Sequence, residues 1–214
     1  GSLADRSEYR LFYKQSDETL RRQAFGSSTV RSEKGSIQTV GLGADWRKAV
    51  SDAHLLTWGF SLMDDSVDSS RVDTTGGTST PQDGEFAPGS RYSSLGVFLQ
   101  DEVLAFDPVD IVAGVRYSYY DWSADAFAGQ PGSMNESGNF DALTASLTVG
   151  GNVSDGVRLT GKVAQGYRAP NLAELAKDGT FSNGTELHNP NLEAEKSLTG
   201  EIGVDFDRGH WGTG

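Results

Sequence analysis

Apolar and polar residues alternate along several stretches of this chain, each about ten to fifteen residues long. Successive side chains of a β-strand point to opposite faces, so a period of two marks a strand with two unlike sides. In "VDIVAGVRYSYY" one side carries Ile111, Ala113, Val115, Tyr117 and Tyr119, and the other carries Val112, Gly114, Arg116 and Ser118. "DALTASLTVGG" sets Leu143, Ala145, Leu147 and Val149 against Thr144, Ser146, Thr148 and Gly150. "VRLTGKVAQGY" sets Val157, Leu159 and Val163 against Arg158, Thr160, Lys162 and Ala164. "SLTGEIGVDF" sets Leu198, Ile202, Val204 and Phe206 against Thr199, Glu201, Gly203 and Asp205. "HLLTWGFSLM" sets Leu56, Trp58, Phe60 and Leu62 against Leu55, Thr57, Gly59 and Ser61. A water-soluble sandwich would also alternate. Its strands, however, average about five or six residues, so the length seen here favours a large barrel.

The connections alternate as well. Strand 36–48 meets strand 53–64 through "AVSDA", strand 92–106 meets 110–122 through "FDPVD", and strand 140–152 meets 157–167 through "VSDG". Between these pairs lie long polar spans at 64–91, 123–139 and 168–196, the last leading to strand 197–207 and "DRGH". Region 8–35 reads as two further strands, around "EYRLFYKQ" and "RRQAFGSS". Tight turns at one rim and long loops at the other are the habit of a transmembrane β-barrel, whereas a compact soluble domain rarely carries several loops above about fifteen residues. The expected fold is all-β, an antiparallel meander of about ten long strands.

Composition narrows the function classes. Hydrophobic residues make up 36% of the chain and the mean hydropathy is −0.44. No window approaches the roughly 18 apolar residues of a spanning helix, which says nothing against a barrel, since only alternate strand residues face lipid. The 27 glycines argue against a helical protein. A formal net charge of −12 argues against a nucleic-acid partner, and the absence of cysteine excludes disulfides and thiolate metal sites. "GS" at 1–2 reads as an expression scar, and both ends of the chain read as cut, so a fragment is expected.

Few residues suggest chemistry by spacing. His54, His188 and His210 are far apart and form no zinc pattern. Asp64, Asp65, Asp68 and Asp73 could attract Ca²⁺, but the D-x-D-x-D-G loop is missing and a solvated acidic loop is the better reading. "GLGADW" at 41–46 sits inside an alternating stretch with no helix after it, so it is no dinucleotide fingerprint. No Ser/His/Asp set or paired carboxylates stand out, and neither enzymatic activity nor a cofactor is expected. Trp46, Tyr92, Tyr119, Tyr120, Trp122 and Tyr167 lie near strand ends, where an interfacial girdle would place them.

Four segments then carry a resemblance. "GVFLQDE" (96–102), "VAGVRYSYYDW" (112–122), "GYRAPNLAEL" (166–175) and "NPNLEAEKSLTGEIGVDF" (189–206) occur in the order found in the barrel of TonB-dependent outer-membrane receptors. The resemblance covers roughly residues 90–207; residues 1–90 are compatible with weaker signatures. Ala194 stands where the family often has proline. The resemblance implies a 22-stranded barrel with an N-terminal plug inside it, an external binding face and energy from TonB. Residues 1–214 would then be part of the barrel domain, without the plug or the C-terminal strands. Expected partners are an iron chelate (siderophore or haem) or similar nutrient, TonB through the plug, and outer-membrane lipid. An outer-membrane enzyme or adhesin barrel and a soluble β-sandwich module are the alternatives.

The candidate ligand-contact residues are Tyr167, Arg168, His188 and Asn189. Haem receptors of the family often carry a histidine between the two motif boxes, where His188 stands, although a plain loop histidine is the simpler reading. Pro170 cannot donate to a ladder, so pairing should stop there. Arg168 shares a side with Arg158 and Lys162, and Glu201 and Asp205 are expected to pair with these cations in a structural network. Asn171 should cap a short helix over "NLAELAKD".

Overall fold

The computed structural model describes residues 2–106, 108–126, 134–176, 179–181, 184–186 and 189–206. Its long strands are β1 (Arg6–Gln23), β2 (Thr29–Ser51) and β3 (His54–Thr75), followed after a short β4 (Thr78–Asp83) by β5 (Ser90–Phe106), β6 (Val109–Ala124), β7 (Glu136–Ser154) and β8 (Val157–Arg168). A helix α1 (Leu172–Ala176) and two three-residue strands, β9 (Gly179–Phe181) and β10 (Gly184–Glu186), precede β11 (Glu195–Phe206). The main sheet has nine strands in the order β1-β2-β3-β5-β6-β7-β8-β11, with β4 added to β3. All its pairs are antiparallel. The expected meander is therefore present, with eight long strands rather than about ten. They run from 12 to 23 residues. β1 and β11 end the order and do not pair with each other.

Three expectations about the first half need correction. "RRQAFGSS" is not a second strand but the end of β1 and the turn after it. The polar span 64–91 is mostly strand: β3 continues to Thr75 and folds back on β4 through Gly76 and Gly77, whose φ angles of 57° and 87° only glycine adopts readily. Two consecutive positive φ angles make the tight hairpin that matches strand twist. The aspartates consequently sit on a strand, not in a loop. Asp64 holds Arg91 at 2.9 Å and Ser93 at 2.6 Å, Asp65 accepts from Thr39 at 2.6 Å, and Asp73 holds Arg71 at 2.5 Å.

The register sorts the side chains into two sets, as the alternation requires. Leu147 pairs with Val163, Leu159 with Val204, Val115 with Leu99, and Leu62 with both Leu42 and Leu95, all on one face. Nothing among the described residues covers that face: Leu143, Leu198 and Ile202 are 70%, 73% and 89% exposed. The other face carries Lys162 against Glu201, Arg158 against Asp205 and Arg168 against Glu195. Arginines on this face reach across glycines of the neighbouring strand. Arg158 passes over Gly150 to pair with Asp110, and a Cβ at Gly150 would come within 2.4 Å of its Nη2. Arg116 passes over Gly96 to Ser61 at 3.2 Å. Buried hydrophobic side chains gather on the polar face, toward the rim that carries the long connections, in a cluster that includes Val67, Trp122, Ala124, Leu172 and Leu175.

Candidate functional site

The segment after β8 folds back over the polar face. β7 and β8 stay paired only up to Ser146 and Ala164, although both strands continue. Beyond that point Gln165 Oε1 accepts from the Ala145 amide at 3.0 Å, in place of a ladder bond. By register Tyr167 belongs with Val163 on the apolar face, yet its ring centroid lies 6.3 Å from that of Tyr120 on the polar face. The end of β8 has therefore turned inward. Tyr120 in turn lies 6.0 Å from Tyr92, and the Tyr92 hydroxyl donates to the Pro170 carbonyl at 2.9 Å.

Helix α1 begins here because its first turn is capped reciprocally. The Glu174 amide donates to Asn171 Oδ1 at 3.0 Å, and the Asn171 amide donates to Glu174 Oε2 at 2.9 Å. The cap expected at Asn171 is in place, and the described helix runs five residues. It seats Leu172 and Leu175 against Trp122, and Leu175 and Trp122 are 0% and 2% exposed. Burial of each such side chain contributes about 1.5–3 kcal/mol, more than so short a helix could supply by its own hydrogen bonds. Gly138 gives the indole room: a Cβ there would stand 2.8 Å from Trp122 Nε1.

Over this apolar seat lies a charged clasp. Arg168 donates to Glu174 at 3.1 Å and to Glu195 at 2.6 Å. The hydrogen bonds from Arg168 hold both carboxyls below the ordinary glutamate value, with the Asn171 amide adding to the effect at Glu174. Glu195 first, then Glu174, raise the Arg168 guanidinium above its usual value. Half the Arg168 side chain is exposed, so solvent screens these pairs strongly.

Of the four predicted contact residues, Tyr167 is half-buried against Tyr120 and Arg168 forms the clasp. Asn189 is exposed; its amide donates to the Glu174 carbonyl at 3.4 Å, and its Oδ1 accepts from the Asn191 amide at 3.1 Å. His188 lies outside the described residues. Arg168 and Asn189 are thus joined through Glu174, a residue the sequence reading passed over although Asn171-x-x-Glu174 is a capping pattern.

Two expectations change. Arg168 pairs with Glu174 and Glu195, and Arg158 pairs with Asp110 rather than Asp205, while Lys162 does meet Glu201, at 3.7 Å. Tyr92, Tyr120 and Trp122 are not girdle residues. They lie on the polar face under the returning segment, on the same side of the sheet as Ser94, Ser118 and Arg116.

A family model described as "TonB dependent receptor-like, beta-barrel" matches residues 2–214. A protein named hemin receptor from Yersinia pestis is 29% identical over 162 residues, which cover 71% of this chain and 21% of that protein. Among solved structures the fold is similar to the copper transporter OprC, at a TM-score of 0.74 and 13% identity, over 94% of this chain and 33% of that one. It is also similar to the unliganded ferric citrate transporter FecA, at 0.68 and 16%, over 95% and 30%. The chain spans 16% to 21% of the length of the curated relatives it matches.

Proposed function

The chain belongs to the TonB-dependent receptor β-barrel family, and on that premise we propose that it forms part of the wall of an outer-membrane receptor that takes up an iron chelate. Haem is the first candidate cargo, because the curated relatives are named hemin receptors; a ferric siderophore is the second. The observation that carries the reading is the unbroken apolar face of eight long strands backed by a charged face. Apolar side chains exposed to this extent are stable facing hydrocarbon, and only a closed barrel satisfies strand backbones there. The apolar face then meets lipid and the polar face lines the lumen.

On β3 the apolar set runs from Leu56 to Leu62 and gives way to Asp64, and on β2 it runs from Trp46 to Val40 and gives way to Gln38. The strands continue well past that level, so the Arg168 clasp and the seat of α1 stand at the external mouth. Tyr167, Arg168, His188 and Asn189 are the contacts offered to the cargo, with Glu174 setting the position of two of them. TonB would act through a plug domain outside this chain.

The test uses the receptor that carries this chain, produced in a strain without its own haem and siderophore receptors. It is expected in the outer-membrane fraction and should allow TonB-dependent growth on haem as sole iron source. Growth on a ferric siderophore alone reassigns the cargo, and absence from the outer membrane overturns the reading.

A further inference from the structure

Three glycines lie on the polar face of β2, and β1 treats them differently. The ring of Phe12 covers Gly41, within 2.2 Å of where a Cβ would stand. The guanidinium of Arg10 flanks Gly43 at 3.7 Å. Gly35, the register partner of Glu18, is bare: nothing lies within 4 Å of the Cβ position. Its φ is not in the left-handed region, so no turn demands glycine there. The missing side chain opens instead on a cavity of about 390 Å³ between β1, β2, β3 and the Glu85–Phe86 segment.

The cavity is built of two unlike parts. Leu20, Ile37, Val67 and Phe86 supply apolar walls, and Glu18 and Ser16 stand along its β1 side. Glu33 and Glu85 also line it, but Arg22 holds both, Glu85 at 3.7 Å. Lys34 contributes from a position that alternates onto the opposite face. Glu18 is exposed and has no ion partner among the described residues. Val67 and Phe86 belong also to the cluster under α1, so the cavity adjoins the mouth rather than the middle of the wall.

We propose that this cavity binds an amine-bearing group of a ligand, its protonated nitrogen at the Glu18 carboxylate and its apolar body over Gly35 against Leu20, Ile37 and Phe86. The charge selects the class: Arg22 already holds Glu33 and Glu85, so Glu18 is the carboxylate left for a ligand's ammonium. The apolar floor demands more than a bare cation. The inference rests on the proposed function only for the side of the wall on which the cavity opens, beyond the apolar set that ends at Val40.

The test titrates the detergent-purified receptor with dansylcadaverine, a fluorescent primary amine with an aromatic body, and with dansylglycine, its anionic counterpart. Saturable, blue-shifted emission is expected for the amine and about tenfold weaker binding for the anion. Glu18→Gln, an exposed change that leaves the strand intact, should weaken the amine about tenfold. Gly35→Leu should abolish binding by filling the cavity. Equal binding of amine and anion, or an unchanged titration in Glu18→Gln, overturns the assignment, even if Gly35→Leu still acts. Growth on haem or ferric siderophore is read separately. A receptor that fails there but titrates with the amine refutes the cargo and keeps the cavity.

Discussion

The Tyr92 hydroxyl donates to the Pro170 carbonyl oxygen at 2.9 Å, across 78 positions of sequence. Through this bond a strand in the middle of the sheet fixes the point at which β8 gives way to α1. Tyr92→Phe keeps the ring against Tyr120 and removes the donor, leaving the carbonyl of the buried Pro170 without it. A loss of about 1 kcal/mol is expected. It should show as faster hydrogen–deuterium exchange confined to residues 167–176. An unchanged rate there would mean that the seat of Leu175 on Trp122 holds the segment unaided.

Arg168→Gln separates stability from binding. The pairs with Glu174 and Glu195 are exposed, so the thermal midpoint of the receptor should hardly move. Cargo affinity should fall about tenfold if the guanidinium contacts an anionic group of the chelate. A large drop in midpoint with affinity unchanged would assign Arg168 to the fold alone.

The clasp also sets a pH response. Both glutamates are held below their ordinary value of 4.5 in the folded chain. A depressed carboxyl contributes stability above its unfolded value and loses it as pH falls through the folded one. The order of α1 should therefore be constant from neutrality to mildly acidic pH, and should loosen only once pH falls below the ordinary glutamate value of 4.5. Limited proteolysis of the segment after Arg168 across this range checks the window. Loosening between pH 7 and 5 would contradict it.

The two faces should tolerate charge unequally. Ile202→Arg places a cation on the apolar face and is expected to cost about 2–4 kcal/mol in a bilayer. Thr199→Arg, on the polar face and near Glu201, should be close to neutral. Denaturant unfolding of the receptor in liposomes measures both. Equal costs would contradict the lipid and lumen assignment.

Expressed by itself, the chain should need detergent and should bind haem or ferric siderophores poorly. Its apolar face is uncovered, and β1 and β11 each leave one edge without a strand partner among the described residues. A monodisperse monomer in detergent-free buffer, or submicromolar binding, would count against the barrel reading.

Strand faces were legible in the sequence wherever one side is apolar and the other polar, because there the two sides differ residue by residue. Beyond Leu62 both sides of β3 carry mostly polar residues. Asp64, Asp65, Ser66 and Asp68 then lose the alternation, and a continuing strand reads as a loop. Gly76-Gly77 was the available sign of the hairpin. The seat of α1 was partly legible too, since Trp122 and Tyr120 share their parity with Arg116 and Ser118, the polar side. What periodicity could not convey is that β8 leaves β7 at Ala164 and carries Tyr167 across to Tyr120. That contact is set by a return of the chain, not by register.

The returning segment has a kinetic consequence. Apart from β3–β5 and β8–β11, every pairing in the sheet joins strands adjacent in sequence. Short connections let most of those hairpins zip locally, β6–β7 excepted, whose strands are separated by positions 125–135. β11 must instead meet β8 across a connection whose ends, Arg168 and Glu195, are 27 positions apart. Closing it costs about 2 kcal/mol more than closing a two- or three-residue turn. Seating α1 on Trp122 first draws in much of that connection and shortens what is left to close. Trp122→Ala should accordingly delay protection of β11 amides in pulse-labelled refolding while the β7–β8 hairpin forms on time, so the five-residue helix serves as the staging point from which the last strand is laid down.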